Sequence, residues 1–539
     1  MATTKQGKRR QQQAAQTFHC HGHVCIGQRG VAYTTLQGRV YTTPAKRVSR
    51  LIRYARGWSK LHREYRGGRV KPAAALRDTT AGLPSNFLHD RRQGIAMPTS
   101  NTQSIPGLAV HAHGGNSHAE QLAPGDLAVG VLVGRVSQSF DFFVFGIGCV
   151  LAFPQVFFPF ASQIDGVFYS FAIFALAFIA RPLGSMFFLV LQRHVGLPAK
   201  LTIALFLLGM ATAGTAFLPG YATLGWAAIL ALAVLRFGQG FALGGSWNGL
   251  ASLMALKAPK ERRGWYAMLP QLSDPIGFII AAALFAYIWS SLSHQEFVEW
   301  GWRYPFFAAF AINVVALFAR LRMVVAPRYA EQLKERDLEP SSMRELVRSQ
   351  GNNIALGAFA PLASYAMFHL VTIFALSWAL LFTRQSVGSF LVVQIVGAFV
   401  ALPCMLLSGV VANHFGRRTT LAAGGVLIAI YSGWTALLLS GGAVNSFLFI
   451  IFGYALLGFT HAQAAGAVSS NFRPEFRFCG AMITSDLGWL IGAGFAPLVA
   501  LALARYAGVP YVGLYLLSGA IGTLAALWIS RRSGGLPND

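Results

Sequence analysis

Twelve long apolar stretches occupy the chain from residue 127 onward and decide what it can fold into. Each is at least about as long as the roughly 20 residues that a helix needs to cross a bilayer. Their approximate limits are 128–153, 166–190, 199–218, 223–250, 265–290, 301–324, 353–382, 388–412, 419–440, 445–470, 478–504 and 509–530. Backbone groups in lipid must be hydrogen-bonded within the element, and the short alternating segments of a closed barrel are not seen. We therefore predict an all-α membrane protein with twelve transmembrane helices.

The composition excludes a water-soluble globular protein. Of the 539 residues, 54% are hydrophobic and only 12% are charged, whereas ordinary soluble domains carry about 25% charged residues. Too little polar surface remains to cover a body of this size in water. The five cysteines are too few and too scattered to form a disulfide framework.

The basic residues of the connections lie mostly on one side of the predicted bundle. Connections after the even-numbered spans, together with the C-terminus, carry 19 Lys and Arg, whereas the opposite connections carry three, Arg303, Arg384 and Arg505. Cytoplasmic loops are enriched in Lys and Arg, so we expect both ends of the chain in the cytoplasm. The expected location is the inner membrane of a bacterium, with membrane lipid around the bundle.

A polar stretch, 325–352, divides the spans into two sets of six. We expect an N-terminal six-helix bundle over residues 127–324, a cytoplasmic linker over this stretch, and a C-terminal six-helix bundle over residues 353–532. Two repeated bundles place a transporter's binding site at the interface between them.

Residues 1–126 form a separate N-terminal extension. Its first 96 residues hold 19 Lys and Arg and three acids, a net charge of +16 (19 − 3), and contain no run as apolar and long as a span. We predict that the extension is disordered. Two alternatives stay open: the basic residues contact anionic lipid or nucleic acid, or the chain is made from Met97.

The segment His19–Cys25 lacks the paired spacing of a zinc finger, so we expect no metal site, and we expect no nucleic-acid partner for the protein.

Four short motifs occur in order along the first six spans: RPLG (Arg181–Gly184), RFGQGFALGGSWNG (Arg236–Gly249), PKERRGWY (Pro259–Tyr266) and GWRYPF (Gly301–Phe306). With them the sequence resembles the major facilitator superfamily, and within it the metabolite:proton symporters, over about residues 127–532. The resemblance implies the major facilitator fold and a monomeric, proton-coupled symporter that carries a small organic acid or zwitterionic metabolite by alternating access. It implies no cofactor and no enzymatic activity, and the chain has no P-loop, HExxH motif or nucleophile elbow.

Several positions depart from the pattern of that family. In the connection between spans 2 and 3 the family has Gly, Asp and Arg where this chain has Gln192, Arg193 and Leu197. The family's Glu residues in spans 1 and 4 are replaced by Gln138 and Ser246. An alternative hypothesis is therefore a transporter-like membrane sensor or scaffold that binds a ligand without net flux.

The departures also indicate a conformational latch with exchanged charges at the cytoplasmic face. In the family, the Asp between spans 2 and 3 helps to hold the two halves together, and an Arg usually stands between spans 10 and 11. Here these positions are Arg193 and Glu475. We hypothesise that the two pair; the alternative is two independently solvated charges. Arg417 and Arg418, which the copy of the motif after span 8 keeps, are further latch candidates.

Five ionisable residues lie deep in the predicted spans: Arg135, Asp141, Arg236, Asp274 and Asp486. Each costs about 2.5–3.5 kcal/mol in a helix centre, so each needs a partner or a water-filled cavity. The resemblance carries a proton-coupling role over to Asp141 and Arg236. Asp274 and Asp486 stand where the family has small or amide residues, and either is a candidate to replace the missing Glu as proton carrier. Structural roles stay open: ion pairing for the acids, and helix packing for the glycine-rich motif that contains Arg236.

Arg135 and Gln138 share one face of the first helix, because they are three residues apart. A guanidinium in a cavity favours carboxylates, which it binds through two nitrogens. We therefore predict an organic anion as substrate, the alternative being that Arg135 extends to the membrane surface. The other substrate-binding candidates are polar or aromatic residues of spans 4, 7 and 10: Gln239, Ser246, Trp247, Asn248, Tyr365, His369 and Gln463.

Overall fold

The computed structural model describes residues 124–245, 260–325, 342–383, 385–465 and 471–532, together with four strands within residues 19–44. The chain divides into two compact units, Met1–Gly114 and Gly115–Asp539.

The first unit contains an antiparallel sheet of four short strands in chain order: β1 His19–His21, β2 Val24–Ile26, β3 Val31–Leu36 and β4 Arg39–Pro44. Its register places Cys20 opposite Cys25 and Leu36 opposite Arg39. Val, Tyr and Thr, which favour strands, make up most of β3 and β4. Disorder of residues 1–126 stays a prediction, which used the composition of the whole segment and not these short runs.

The second unit is helical throughout its described residues. Eleven helices there are long and apolar enough to cross a membrane, and Pro124–Leu151 completes the twelve that the sequence predicts. We number them as spans 1 to 12: Pro124–Leu151, Gln163–Gly196, Ala199–Phe217, Trp226–Gly244, Arg263–Ser291, His294–Phe318, Leu362–Phe382, Val387–Phe415, Arg417–Ser440, Gly442–His461, Arg477–Tyr506 and Val509–Arg532. Short helices Phe153–Phe157 and Tyr221–Leu224 lie in the connections after spans 1 and 3.

Two glycines form equivalent turns in the two halves. Gly196 joins spans 2 and 3 with φ 81° and ψ 168°, and Gly416 joins spans 8 and 9 with φ 86° and ψ 150°. A side chain disfavours this positive φ, so both turns require glycine. The connection between spans 2 and 3 thus keeps the backbone role of its motif although the charged residues of that motif are replaced.

Glycines also bring neighbouring spans into backbone contact. A Cβ atom added at Gly240 of span 4 would lie 2.1 Å from the carbonyl oxygen of Ala177 in span 2. In the second half, a Cβ at Gly458 of span 10 would lie 2.4 Å from the carbonyl oxygen of Ala401 in span 8. The glycine-rich motif of span 4 therefore does serve helix packing, and it does so in a way that the second half repeats.

Four spans contain an irregular turn. Span 5 includes the 3₁₀ turn Leu269–Leu272, and spans 6, 7 and 11 include the π-helical turns Phe297–Gly301, Leu370–Phe374 and Leu490–Gly494. Such turns change the direction of nearby side chains and are frequent at functional sites. The π turns of spans 7 and 11 directly follow His369 and Trp489, and both of these side chains are buried.

A further helix, Met343–Phe359, begins inside the segment 325–352 predicted as a linker. It buries Leu346 and Ile354, which lie on either side of a kink at Gln350 (φ −128°, ψ 18°). Both belong to an apolar cluster with Leu189 of span 2 and residues of span 11. The cluster joins the two halves at the end of the bundle that carries the connections after even-numbered spans, which we call the basic end.

Candidate substrate and proton site

A cavity lies between the two halves of the described bundle. It offers about 60 Å³, room for roughly four to six water molecules. The lining residues come from spans 1, 2, 4 and 5 of the first half and spans 7 and 11 of the second: Arg135, Gln138, Ser139, Phe142, Phe143, Phe178, Arg181, Leu243, Asp274, Phe368 and Trp489. A few charged groups set against an aromatic wall are typical of a site for a small polar molecule.

Arg135 lines this cavity and does not extend to the membrane surface. Its Nε donates to the carbonyl oxygen of Pro270 at 3.2 Å, and its Nη2 donates to Oε1 of Gln271 at 3.2 Å. Both acceptors belong to the 3₁₀ turn of span 5, which therefore fixes the guanidinium at the cavity. Gln138 lines the cavity beside it, and the described part of the chain gives its buried Nε2 no hydrogen-bond acceptor.

Asp141, Gln239 and Arg236 form one buried hydrogen-bonded chain. Oδ1 of Asp141 accepts from the Thr212 hydroxyl at 2.8 Å, and Oδ2 accepts from Nε2 of Gln239 at 2.6 Å. The amide oxygen of Gln239 accepts from Nη1 of Arg236 at 2.5 Å. The carboxyl group is thus linked to a cation through a neutral amide. The sequence analysis named three of these residues but missed Thr212, one of three threonines in span 3.

Aromatic rings enclose the guanidinium of Arg236. Its Cζ lies 5.1, 4.1 and 4.6 Å from the ring centroids of Phe142, Phe145 and Phe174, a cation–π arrangement. Phe142 and Phe174 also contact the His369 ring, at centroid distances of 5.5 and 5.3 Å. Neither ring nitrogen of His369 has a hydrogen-bond partner among the described residues. His369 therefore lies in an aromatic cage and not on the polar side of the cavity.

Asp274 connects the two halves through a histidine. Its Oδ1 accepts from the Ser139 hydroxyl at 2.5 Å, and its Oδ2 lies 2.8 Å from Nε2 of His461 in span 10. The other ring nitrogen of His461 lies 3.2 Å from Oγ of Ser364 in span 7. The structural pairing of Asp274 is therefore with a histidine, His461, and with the hydroxyls of Ser139 and Ser273, the latter at 3.3 Å. His461 was not among the predicted site residues, although a histidine in an apolar helix was the available signal.

Two ion pairs join span 2 to span 11, one at each side of the cavity region. Arg181 Nε lies 2.8 Å from Oδ1 of Asp486, whose other oxygen accepts from the Ser185 hydroxyl. Nearer the end of the bundle opposite the basic end, Asp165 pairs with Arg505. The Asp486 side chain is fully buried, whereas about a third of each side chain of the second pair is exposed (34% and 30%). Asp486 thus pairs with an Arg, as the structural alternative proposed, and that Arg lies in the RPLG motif.

The remaining substrate-binding candidates lie at different places. Tyr365 stacks on Trp489 with ring centroids 4.5 Å apart, directly behind the cavity wall. Nε2 of Gln463 donates to the carbonyl oxygen of Gly264 at 3.2 Å, a contact that joins spans 10 and 5 outside the cavity lining. The candidates Ser246, Trp247 and Asn248 lie outside the described residues.

The latch between Arg193 and Glu475 stays a hypothesis, and both of its side chains are exposed. A different polar contact joins the halves at the basic end: the backbone N–H of Trp265 donates to Oδ1 of Asn413 at 3.1 Å. Asn413 occupies the position where the family motif has Asp, so the amide still serves as an acceptor there.

Arg417 and Arg418 bond within the second half. Nη2 of Arg417 donates to the carbonyl oxygen of Ala465 at 2.5 Å, and Arg418 donates to the side-chain oxygen of Asn471. These bonds tie the start of span 9 to the connection after span 10. They stabilise the basic end of one half and do not themselves link it to the other.

Comparisons with known proteins agree with the motifs and the fold. The sequence profile of the Major Facilitator Superfamily matches residues 173–477. The chain belongs to this superfamily. It is 33% identical to the inner membrane metabolite transport protein YhjE of Escherichia coli over 414 residues, which cover 75% of this chain and 93% of that one. It is also 28% identical to the shikimate transporter of E. coli, over 73% of this chain and 91% of that one.

Solved structures show the same fold. The crystal structure of a D-xylose-proton symporter superposes with a TM-score of 0.58 at 19% identity, covering 77% of this chain and 98% of that one. The resemblance read from the four motifs is thus confirmed, as is the expectation that the protein is not an enzyme. The protein is a secondary transporter, a multi-pass protein of a bacterial inner membrane.

Proposed function

We propose that the protein is a proton-coupled symporter. Its proton is carried by the Asp141 carboxyl group, which is hydrogen-bonded through Gln239 to Arg236. The observation that carries this proposal is the environment of Asp141, which is 1% exposed and is held by an amide and a hydroxyl with the cation one side chain away. A carboxyl group bonded to neutral donors can gain or lose a proton without breaking a direct ion pair. Phe142, the next residue, lines the cavity, so the proton and substrate sites are adjacent along span 1.

The proposed substrate is a small organic acid or zwitterion. Arg135 would bind its carboxylate, because a guanidinium holds carboxylates through two nitrogens. A positive group on the substrate would face Asp274 and the aromatic wall, which favours cations. The relatives include a citrate-proton symporter of Klebsiella pneumoniae and a glycine betaine, proline, ectoine and pipecolic acid transporter of Dickeya dadantii, 26% and 25% identical to this chain. An acid and a zwitterion both suit this pattern of charges.

The proposed transporter works as a monomer with its basic end and both termini in the cytoplasm. This orientation is supported by the 19 basic residues of that side against three on the other. The replaced residues of the motif between spans 2 and 3 favour a second candidate, a sensor that binds ligand without net flux. The retained turn at Gly196 and the contact from Trp265 to Asn413 favour transport, because they keep the geometry of the basic end.

Uptake into proteoliposomes under an imposed pH gradient tests the proposal. Shikimate, citrate and glycine betaine should be offered as labelled substrates. The wild-type protein should concentrate at least one of them, and Asp141→Asn should abolish accumulation while sparing exchange of labelled for unlabelled substrate. Asp165→Asn, which neutralises an exposed acid of span 2, is the matched control and should accumulate normally. Accumulation by Asp141→Asn at the wild-type level would exclude Asp141 as the carrier, and exchange without gradient-driven accumulation by the wild type would contradict symport.

A further inference from the structure

The ion pair between Arg181 and Asp486 stands at the edge of the cavity, and its two members belong to different halves. Arg181 is a lining residue with 15% of its side chain exposed, whereas Asp486 is fully buried behind it. The pair uses Nε of the guanidinium, at 2.8 Å. Asp486 thus contacts the guanidinium from the buried side, while Arg181 also lines the cavity.

Ser185 shows that the first half can release Asp486 without losing a hydrogen bond. Its hydroxyl lies within bonding distance of a carboxylate oxygen of Asp486 and also 3.1 Å from the carbonyl oxygen of Gly244 in span 4. A hydroxyl has one proton to donate. When Asp486 moves away with span 11, Ser185 can donate to Gly244 instead. The serine is thus satisfied in both situations.

Among the described residues, the acid of the first half that lines the same cavity is Asp274, and it is already engaged: its Oδ1 accepts from Ser139 and its Oδ2 lies 2.8 Å from Nε2 of His461. A further contact of Arg181 with the second half is the Trp489 ring, whose centroid lies 5.9 Å from the guanidinium carbon. Trp489 is on the same helix as Asp486 and would leave with it. Arg135, the other cation that lines the cavity, offers no negative charge. Loss of the carboxylate is unfavourable while the guanidinium is shielded from water, so another anion on Arg181 would favour separation of spans 2 and 11.

We propose that the carboxylate of the substrate is this anion: it displaces Asp486 from Arg181, so that Arg181 is a substrate-binding residue occupied by Asp486 in the empty protein. The exchange replaces one carboxylate by another on the same guanidinium, and Asp486, freed with span 11, becomes hydrated as the halves part. Arg135 and Arg181, on spans 1 and 2, then hold the substrate from one side of the cavity. The inference rests on the proposed transport of a carboxylate-bearing substrate and identifies a residue that the motif analysis left without a role.

The test measures equilibrium binding by purified protein in detergent, without any gradient. A panel of monocarboxylates, with shikimate and glycine betaine among them, is compared with the methyl esters of the same compounds by ligand-induced shift in melting temperature and by Kd. Asp486→Asn should bind carboxylates of the panel about tenfold more tightly than wild type, the gain expected if Asp486 occupies Arg181 nine-tenths of the time. The esters should gain nothing. The double variant Arg181→Gln/Asp486→Asn removes one positive and one negative charge. It should lose the gain in carboxylate affinity and bind more weakly than wild type.

The second ion pair between spans 2 and 11 provides the matched control. Asp165→Asn/Arg505→Gln removes an inter-half pair from the same two helices but away from the cavity lining, and it should leave carboxylate affinity unchanged. If no carboxylate of the panel binds Asp486→Asn more tightly than wild type, or if the double variant at Arg181 keeps the gain, the proposal is wrong. Because no proton gradient enters the measurement, this result is independent of whether the protein proves to be a proton symporter.

Discussion

Replacement of Gly240 by alanine should destabilise the protein, whereas the same replacement at Gly238, two residues earlier on span 4, should not. A Cβ at Gly240 would lie 2.1 Å from the Ala177 carbonyl oxygen, and Cβ atoms essentially never approach other atoms closer than 3.0 Å. Spans 2 and 4 would therefore have to separate by at least 0.9 Å (3.0 − 2.1). The opposing atom is backbone, so no rotamer change can relieve the contact. Overpacking of this kind costs about 1–3 kcal/mol.

At Gly238 the described structure leaves open space, with no atom within 4 Å of the added Cβ. Alanine is favoured over glycine in a helix by up to about 1 kcal/mol, so Gly238→Ala should be neutral or mildly stabilising. The assay is the apparent melting temperature of each purified variant in one detergent, with gel filtration to confirm a single species. Gly240→Ala should also impair gradient-driven uptake, because Gln239 lies beside it and holds Asp141 at 2.6 Å. Equal shifts in both variants would refute the packing argument.

Two further predictions concern topology and the N-terminal extension. Reporter fusions after residues 345 and 532 should read cytoplasmic and one after residue 295 periplasmic, because the basic connections lie on the side of the first two; a periplasmic signal at 345 would overturn the orientation. A chain expressed from Met97 should insert and transport like the full chain, because residues 1–96 contain no span; loss of insertion or uptake would show that the extension is needed.

Most span limits could be predicted from hydropathy, because a helix that crosses a bilayer needs a long apolar run. Few other segments of this chain contain such a run. The predicted limits 199–218 and 509–530 agree within two residues with Ala199–Phe217 and Val509–Arg532. The π-helical turns could not be predicted, because an extra residue in one turn leaves the apolar run unbroken. The start of helix Met343–Phe359 was missed because this segment has no long apolar run: most of its residues are polar, and only a few are buried.

The candidate site was predictable within one half and not across the halves. Asp141 and Arg236 could both be named as proton-coupling candidates because the family pattern gives that role to spans 1 and 4 of the same bundle. The pairs Asp274–His461 and Arg181–Asp486 depend on how the two bundles meet, and their members are 187 and 305 residues apart along the chain (461 − 274 and 486 − 181). No local spacing reports such a contact. A buried ionisable residue predicts that a partner exists, but not which one.

The two ion pairs between spans 2 and 11 oppose separation of the halves unequally. Asp165 and Arg505 are each about one-third exposed, so water can replace either partner when that end opens. Removing one partner from a buried pair costs roughly 3–5 kcal/mol, and the fully buried Asp486 places its pair with Arg181 in this class. The apolar cluster that contains Leu189 adds to the difference, because it joins the halves at the basic end. An empty protein should therefore open more readily at the end opposite the basic connections, and opening of the basic end should depend on an anion that replaces Asp486.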